Sequence, residues 1–278
     1  MGKRTELLLK NTKFKIAMAA IAIIIILSIV GPFLTPDPME SQTARYGEPS
    51  FDHPLGTDLF GRDVLAQVMM GLRNSLKVGF IAGLLAVGIG VVVGGISGYI
   101  GGLFDEGSNL FINIFLTIPV IPVLVILAVV FEQRSIFIVA GLIGALLWPG
   151  IARAVRSQVL SLKERKFVDL ARISGKEDAR IIFGEIFPNM LAYIFIQFCS
   201  ALGTAIVMEA GITMIGLGSG DITLGLMLYW AVSNQAPHMG VWWWFVPPGI
   251  IITLFTGTLV FLGSIMDKVL NPRLRGVI

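Results

Sequence analysis

Residues 78–100 read VGFIAGLLAVGIGVVVGGISGYI, a run of 23 residues without a charged side chain. A helix of about 20 apolar residues is long enough to cross the hydrocarbon core of a bilayer, so this run predicts a transmembrane helix. Gly90, Gly94 and Gly98 lie in it at intervals of four, and Gly102 continues the series just beyond it. Glycine at this spacing allows another helix backbone to approach closely. The run therefore predicts a tightly packed helix inside a membrane bundle or at a subunit interface, with the general abundance of glycine in membrane helices as the alternative.

Five other stretches have the length and composition of membrane spans. They are residues 16–34, 110–131, 136–151, 191–217 and 246–266. The chain of 278 residues is 55% apolar and 14% charged, whereas soluble domains carry about 25% charged residues. The single cysteine, Cys199, excludes a disulfide framework and a cysteine-cluster metal site. These features predict an all-α membrane protein with six transmembrane helices.

The basic residues indicate how the six spans are oriented. If the N-terminus is inside, 16 of the 21 lysines and arginines fall in the inside segments. The five outside are Arg45, Arg62, Arg73, Lys77 and Arg134. Because lysine and arginine concentrate on the cytoplasmic side of membrane proteins, this bias predicts that both termini are cytoplasmic. It also accounts for the net charge of +3 without nucleic acid as a partner.

The first span admits two interpretations, a membrane anchor or a cleaved signal peptide. No pair of small residues that would mark a cleavage site follows it, so we interpret it as an anchor. Beyond it, Phe60, Val64, Val68 and Leu72 recur at helical spacing. This pattern predicts either an amphipathic helix at the outer interface or a packed connector, before the chain turns into the second span.

Proline and glutamate residues predict two features within the spans. Pro119 and Pro122 predict a kink midway along the third span. Glu209 is the one acidic residue well inside a span, and its place along the fifth span puts it near the outer interface. Burial of a carboxyl group there costs little, so we do not interpret it as a proton-relay residue.

The segment between the fourth and fifth spans predicts a helical hairpin. Residues 161–164 and 174–177 each fit the Ser-x-x-Glu capping box, which predicts a short helix ending near Ile173, a break at Gly175 and a second helix. Its apolar residues form two faces. They are Phe167, Leu170 and Ala171 on the first helix, and Ile181, Ile182 and Ile186 on the second. An exposed apolar face indicates a docking partner, with the membrane surface as the alternative.

Motifs for enzyme chemistry are missing from the sequence. It contains no Gly-x-x-x-x-Gly-Lys-Ser/Thr, so it predicts no P-loop for ATP. His53 and His238 are far apart, and neither His-Glu-x-x-His nor Gly-x-Ser-x-Gly occurs. The sequence therefore predicts no catalytic residues and no metal site.

Three segments, taken in order, resemble one family. Residues 53–65 read HPLGTDLFGRDVL, residues 148–153 read WPGIAR, and Asp169-Leu170-Ala171 is followed by Gly175 and Pro188. The chain resembles the C-type permease subunit of ABC importers of the oligopeptide/dipeptide/nickel family. The EAA loop of that family has the pattern Glu-Ala-Ala-x-x-x-Gly with a later proline. The resemblance covers nearly the whole chain, as far as the Asn-Pro-Arg of residues 271–273.

This resemblance implies a type I ABC importer permease fold and assigns roles to residues. The implied ATPase-coupling residues are Phe167, Asp169, Leu170, Ala171, Gly175, Ile181, Ile182 and Pro188. The outer motif comprises His53, Gly56, Thr57, Asp58, Gly61, Arg62 and Asp63. We divide the chain into residues 1–75, with the tail, the first span and the outer segment, and a core permease domain, residues 76–278. The core domain has five spans and a cytoplasmic coupling loop at 153–190.

The sequence departs from the family pattern at several positions. Asp169-Leu170 replaces Glu-Ala, and Asn113 and Leu110 stand where relatives have Asp and Arg. The run Trp242, Trp243 and Trp244 looks like the oligosaccharide-importing branch. We interpret Asn113, Pro119 and these tryptophans as candidate pathway or substrate contacts, with an aromatic belt at the outer interface as the alternative for the tryptophans.

The function implied by the resemblance is ATP-driven import across the inner membrane of a prokaryotic cell. This chain and a homologous B-type permease subunit would form the pathway within the lipid bilayer. Two cytoplasmic ATP-binding subunits would bind ATP and Mg, and an extracytoplasmic solute-binding protein would deliver the substrate. The chain itself would hold no cofactor and would not be an enzyme. The expected substrate is an oligosaccharide or an oligopeptide or dipeptide, with nickel as an alternative; a secondary transporter is the alternative from another class.

Overall fold

The computed structural model describes residues 10–41, 44–131 and 134–270. Its helices are α1 (Thr12–Leu34), α2 (Val64–Ile100), α3 (Gly102–Thr117), α4 (Val120–Val130), α5 (Ile136–Lys163), α6 (Lys166–Ile173), α7 (Asp178–Ile181), α8 (Phe187–Met214), α9 (Leu224–Ser233) and α10 (Trp242–Leu270). A π-helical turn, Ile182–Ile186, joins α7 to α8. The Asn-Pro-Arg at 271–273 lies outside the described residues.

Among the described residues, five helical segments are long and apolar enough to cross a membrane. They are α1, α2, α5, the continuous segment Asp178–Met214 and α10. Helices α3 and α4 meet the same criteria together, but they are bent by 79° at a short break. The chain is therefore a multi-pass helical membrane protein, and its described part has five candidate spans, or six if the bent pair counts as one. Because Pro119 is the N-cap of α4, the break lies where the sequence predicts a kink.

Helix α2 is longer than predicted and has no turn before the second span. It runs unbroken for 37 residues from its N-cap, Asp63, and its length of about 55 Å exceeds the thickness of the hydrocarbon core. Val64, Val68 and Leu72 are buried in one cluster with Trp244. The amphipathic interfacial helix is therefore wrong, and the packed connector is right. The predicted domain boundary at 75/76 falls inside this helix.

The glycine series of α2 lies against α5 at three of its four positions. A Cβ on Gly90 would lie 2.7 Å from the Ile151 side chain, and one on Gly98 would lie 2.9 Å from the Arg156 carbonyl oxygen. A Cβ on Gly94 would overlap the backbone carbonyl of Ala152. Gly102 is different, because it begins α3 after the chain has left α2, and a Cβ there would meet nothing within 4 Å. Gly102 therefore makes no close helix contact within the described part of this chain, and a contact at a subunit interface stays a prediction.

Side-chain contacts define two ends of the bundle. At the end that carries residues 166–186, called the hairpin end, the Tyr99 hydroxyl donates to Asp178 Oδ1 at 2.6 Å. The opposite end carries residues 44–63 and is called the cap end. There, Arg134 Nε donates to the Gly218 carbonyl at 3.2 Å, and Trp243 Nε1 donates to the Thr57 carbonyl at 3.2 Å. The segment Asp178–Met214 runs from the hairpin end to the cap end as one continuous helix.

Candidate functional site

Residues 166–186, here called the hairpin, connect α5 to α8 at one end of the bundle. Helix α6 ends at Ile173, and Gly175 follows with φ +72. Residues with a Cβ rarely adopt this left-handed conformation, so glycine suits the turn. The Gly175 and Lys176 amides donate to the carbonyls of Arg172 and Ala171. The predicted short helix and its break at Gly175 are confirmed.

Neither of the two capping boxes forms in the hairpin. Ser161 lies inside α5, which continues to Lys163. Helix α6 begins after Arg165 and α7 after Glu177, and neither N-cap makes a side-chain hydrogen bond. The Ser174 hydroxyl instead donates back to the Leu170 carbonyl at 2.7 Å, because it lies at the C-terminus of α6. The prediction that Ser161 and Ser174 cap the starts of two helices is therefore wrong.

One face of the hairpin is its anchor on the bundle. Its buried side chains pack in one cluster with Tyr99 of α2 and with Val155 and Val159 of α5. They are Val168, Ala171, Ile181, Ile182 and Ile186. Phe167 is partly buried against the same cluster, and Pro188 is half-buried at the start of α8. Ala171, Ile181 and Ile182 therefore anchor the hairpin and are buried away from any docking partner, which corrects that part of the sequence prediction.

Three apolar side chains of the hairpin are exposed instead of packed on the bundle. Leu170, Ile173 and Phe183 expose 64%, 83% and 61% of their surface. Asp169, like Leu170 a predicted coupling residue, is exposed beside them. Sequence reasoning missed Ile173 and Phe183. The i, i+3 spacing of Leu170 and Ile173 was visible, but the spacing alone does not show which stripe of a short helix faces the bundle. We call Leu170, Ile173 and Phe183 the exposed hairpin face.

Polar contacts join the hairpin to the spanning helices. The bond from Tyr99 to Asp178 ties α7 to the end of α2, and the Arg172 guanidinium lies 5.5 Å from the centre of the Tyr99 ring. Lys176 and Glu185 form an ion pair at 2.5 Å across the turn. Together with the buried cluster, these contacts make the hairpin one packed unit with the ends of α2, α5 and α8.

Two arginines of α5 hold the first half of the bent span. Arg156 binds Asp105 of α3 in a bidentate pair, with N–O distances of 2.5 and 2.6 Å. Arg153 Nη2 donates to Asn113 Oδ1 at 2.6 Å. Asn113, predicted as a pathway contact, is thus exposed but bonded to α5, and Pro119 is exposed at the break. The Asp105–Arg156 pair was missed, because nothing in the local sequence links residues so far apart.

Residues 44–63, here called the outer cap, contain the outer motif. Asp58 is fully buried and accepts hydrogen bonds from the backbone amides of Phe60 and Arg62 and from Gln67 Nε2, at 2.7 to 2.9 Å. Asp63 caps α2 through the Ala66 amide and also bonds His53 Nδ1 at 2.7 Å. The cap is therefore held together largely by its own carboxylates.

The remaining motif residues shape the backbone of the outer cap. Thr57 accepts from the Gly47 amide at 2.7 Å and donates to the Ala44 carbonyl at 2.8 Å. Gly56 and Gly61 have positive φ angles, and a Cβ on Gly56 would collide with the Trp243 ring. The Arg62 guanidinium lies 4.6 Å from the centre of the Phe60 ring. The motif thus forms a self-contained turn structure packed on α10.

The three tryptophans do not share one environment. Trp243 and Trp244 are buried in the cluster beneath the outer cap, and Trp242 alone is exposed, at 52%. Buried indole rings cannot stack on a substrate or lie in an aromatic belt, so both interpretations are wrong for Trp243 and Trp244. They are wrong because the outer cap covers these two rings, which a run of adjacent tryptophans cannot reveal.

Replacing Asp58 with alanine is expected to destabilise the outer cap. Three hydrogen-bond donors lose their common acceptor in a buried setting, which corresponds to roughly 3 kcal/mol. The melting temperature, followed by tryptophan fluorescence of the purified protein, should fall by several degrees. Asp52→Ala is the matched control, because Asp52 is exposed. Equal melting temperatures for the two variants would show that the cap does not depend on this carboxylate.

No group of three or more His, Cys, Asp or Glu side chains in the described part of the chain could hold a metal ion. The spans, the anchored hairpin and the capped opposite end define a multi-pass membrane protein with exposed apolar side chains on its hairpin. Residues 90–276 match the family described as "Binding-protein-dependent transport system inner membrane component". This chain belongs to that family, and it is a permease of the oligopeptide/dipeptide ABC type.

Several characterised relatives resemble the chain over most of its length. It is 33% identical to the dipeptide transport system permease protein DppC of Bacillus subtilis, over 95% of this chain and 83% of that protein. It is 32% identical to the oligopeptide transport system permease protein OppC of Haemophilus influenzae, over 95% and 86%. It is 27% identical to the OppC protein of Lactococcus lactis strain SK11, over 80% and 76%. These relatives are transport components rather than enzymes.

Proposed function

We propose that the chain is the pathway-forming permease subunit of an ATP-driven importer of dipeptides or oligopeptides. The observation that carries this proposal is the 33% identity to a dipeptide permease over 95% of the chain. The structure weakens the case for an oligosaccharide, since two of the three tryptophans that suggested sugar stacking are buried. Nickel stays an alternative substrate.

The exposed hairpin face is the proposed docking site for an ATP-binding subunit. Members of this family work with ATPases and with a binding protein, and the exposed Leu170, Ile173 and Phe183 offer an apolar contact of the kind that marks protein interfaces. Two such subunits would bind ATP and Mg and hydrolyse ATP. Displacement of the hairpin would then reach the membrane through α8, which is continuous with it, and through the Tyr99–Asp178 bond to α2.

The remaining partners follow from the family. A homologous B-type permease would complete the pathway, and an extracytoplasmic solute-binding protein would deliver the substrate at the cap end. The charge bias supports an orientation in which the hairpin end and both termini are cytoplasmic, in the inner membrane of a prokaryotic cell. A secondary transporter, the competing class, would not require ATP-binding subunits.

Uptake by the complete transporter in proteoliposomes tests the proposal. Labelled dipeptide, hexapeptide, maltooligosaccharide and Ni²⁺ are supplied with the binding protein, with ATP or without it inside the vesicles. We expect ATP-dependent uptake of at least one peptide and none of the sugar or the metal. ATP-dependent uptake of the sugar or nickel alone would overturn the proposal of a peptide substrate. Uptake at the same rate with and without ATP would overturn the proposal of an ATP-driven importer.

A further inference from the structure

Glu209 is a buried carboxyl group in the cap-end half of α8. Its residue surface is 1% exposed, although its position along the span predicted a place near the interface. Oε1 accepts hydrogen bonds from the hydroxyls of Thr213 at 2.9 Å and Thr223 at 2.8 Å. Oε2 is buried and makes no hydrogen bond within 3.5 Å among the described residues, although the Ser75 hydroxyl of α2 lies near the carboxyl group. A carboxyl group is costly to bury with one oxygen unpaired, so Glu209 is not explained by stability alone.

The partners of Glu209 belong to a junction between three elements. Thr223 is the N-cap of α9, and its hydroxyl also accepts from the Leu226 amide at 3.1 Å. From α2, Ser75 accepts from the Leu224 amide at 3.1 Å, and Asn74 donates to the Ile222 carbonyl at 2.8 Å. The start of α9 is therefore fixed by side chains of both α8 and α2.

Backbone packing leaves little room for sliding at this junction. A Cβ on Gly225 of α9 would lie 2.6 Å from the Ala210 Cα of α8, next to Glu209. A Cβ on Gly71 of α2 would lie 3.2 Å from the Leu224 nitrogen. Close contact alone allows rotation or separation, but the hydrogen bond from Thr223 to Glu209 fixes α9 to α8 in one orientation.

We infer that Glu209 is a positioning residue that makes α9 move with α8 when the hairpin is displaced. The segment Asp178–Met214 reaches without interruption from the hairpin to Glu209, so motion at one end arrives at the other. The bond from Glu209 to the α9 N-cap passes that motion to the short helix at the cap end. This inference rests on the proposed role of the hairpin in coupling ATP hydrolysis to transport.

The first test compares transport with ATP hydrolysis in the reconstituted complex. Glu209→Leu and Thr223→Val should assemble normally and retain ATP hydrolysis within twofold, but substrate transported per ATP should fall about tenfold. Glu209→Gln and Thr223→Ser keep an acceptor and a donor and should retain at least half of the wild-type ratio. Asp221→Asn, at an exposed neighbouring position, is the control and should change nothing. An unchanged ratio in Glu209→Leu, or a parallel loss of assembly and hydrolysis, would overturn the inference.

The second test does not depend on knowing the substrate. Amide hydrogen exchange of residues 224–233 is measured in the purified complex with ATP-binding subunits present. We expect Glu209→Leu and Thr223→Val to speed this exchange at least tenfold and to leave exchange in the hairpin unchanged. If the wild-type complex imports no peptide, the proposed function fails, while the exchange data still decide whether Glu209 holds α9. Unchanged exchange in both variants would refute that role.

Discussion

Replacing Gly94 with alanine is expected to prevent most of the protein molecules from folding stably. The single added methyl group would overlap the carbonyl of Ala152, which is backbone and cannot rotate away. Helices α2 and α5 would have to separate along the contact that also includes Gly90 and Gly98. Overpacking of a tight contact lowers the free energy of unfolding by about 1–3 kcal/mol. Because the clash here is with backbone, we expect a loss at or above the upper value of that range. Two measurements test the effect: the yield of monodisperse protein in detergent and the melting temperature of the protein that is recovered.

Gly88→Ala provides the matched control for this change. Gly88 lies on the same helix, but a Cβ there would meet nothing within 4 Å. Alanine at an unhindered helix position is favoured over glycine by roughly 0.5–1 kcal/mol, so this variant should be as stable as the wild type or slightly more stable. If Gly94→Ala and Gly88→Ala had the same melting temperature, α2 and α5 would not approach each other closely at Ala152.

The sequence was informative where one physical requirement acts along a single element. Apolar length identifies the spans, the spacing of Gly90, Gly94 and Gly98 identifies the packed face of α2, and Pro119 identifies the break in the bent span. Each of these follows from steric or solvation constraints within one stretch of chain. Within the chain, the packed series ends before Gly102, because the chain leaves the helix one residue earlier, at Gly101 with its positive φ.

The sequence was uninformative where a position depends on what the rest of the chain covers. On α6, apolar residues occupy both sides, and only the packing of Val168 and Ala171 against α2 and α5 leaves Leu170 and Ile173 outside. Asp58 likewise gains one donor from outside the outer cap, Gln67 of α2, and Glu209 gains one from outside α8, Thr223 at the start of α9. The outer cap covers Trp243 and Trp244, so no feature of their local sequence could have placed them in the core.

Replacing Ile173 with glutamate is expected to release the ATP-binding subunits and to abolish coupled transport. Ile173 is the most exposed apolar side chain of the hairpin, so the permease fold does not depend on it. At an apolar interface the change removes the burial of an isoleucine, about 1.5–3 kcal/mol, and adds a charge without a partner. We expect association with the ATP-binding subunits to weaken at least about 100-fold, which corresponds to roughly 3 kcal/mol. The ratio of subunits that copurify with the tagged permease measures this loss.

Two comparison variants separate docking from folding. Leu103→Glu makes the same kind of change at a position that is 86% exposed near the hairpin end but on α3, and it should keep the ATP-binding subunits. Val168→Glu places the charge in the buried anchor face of the same helix α6 and should lower the yield of folded permease itself. Docking through the exposed hairpin face requires that Ile173→Glu alone combine a normal permease yield with missing ATP-binding subunits. If Ile173→Glu kept its full complement of these subunits, or if Leu103→Glu lost them equally, the contact face would have to lie elsewhere on the chain.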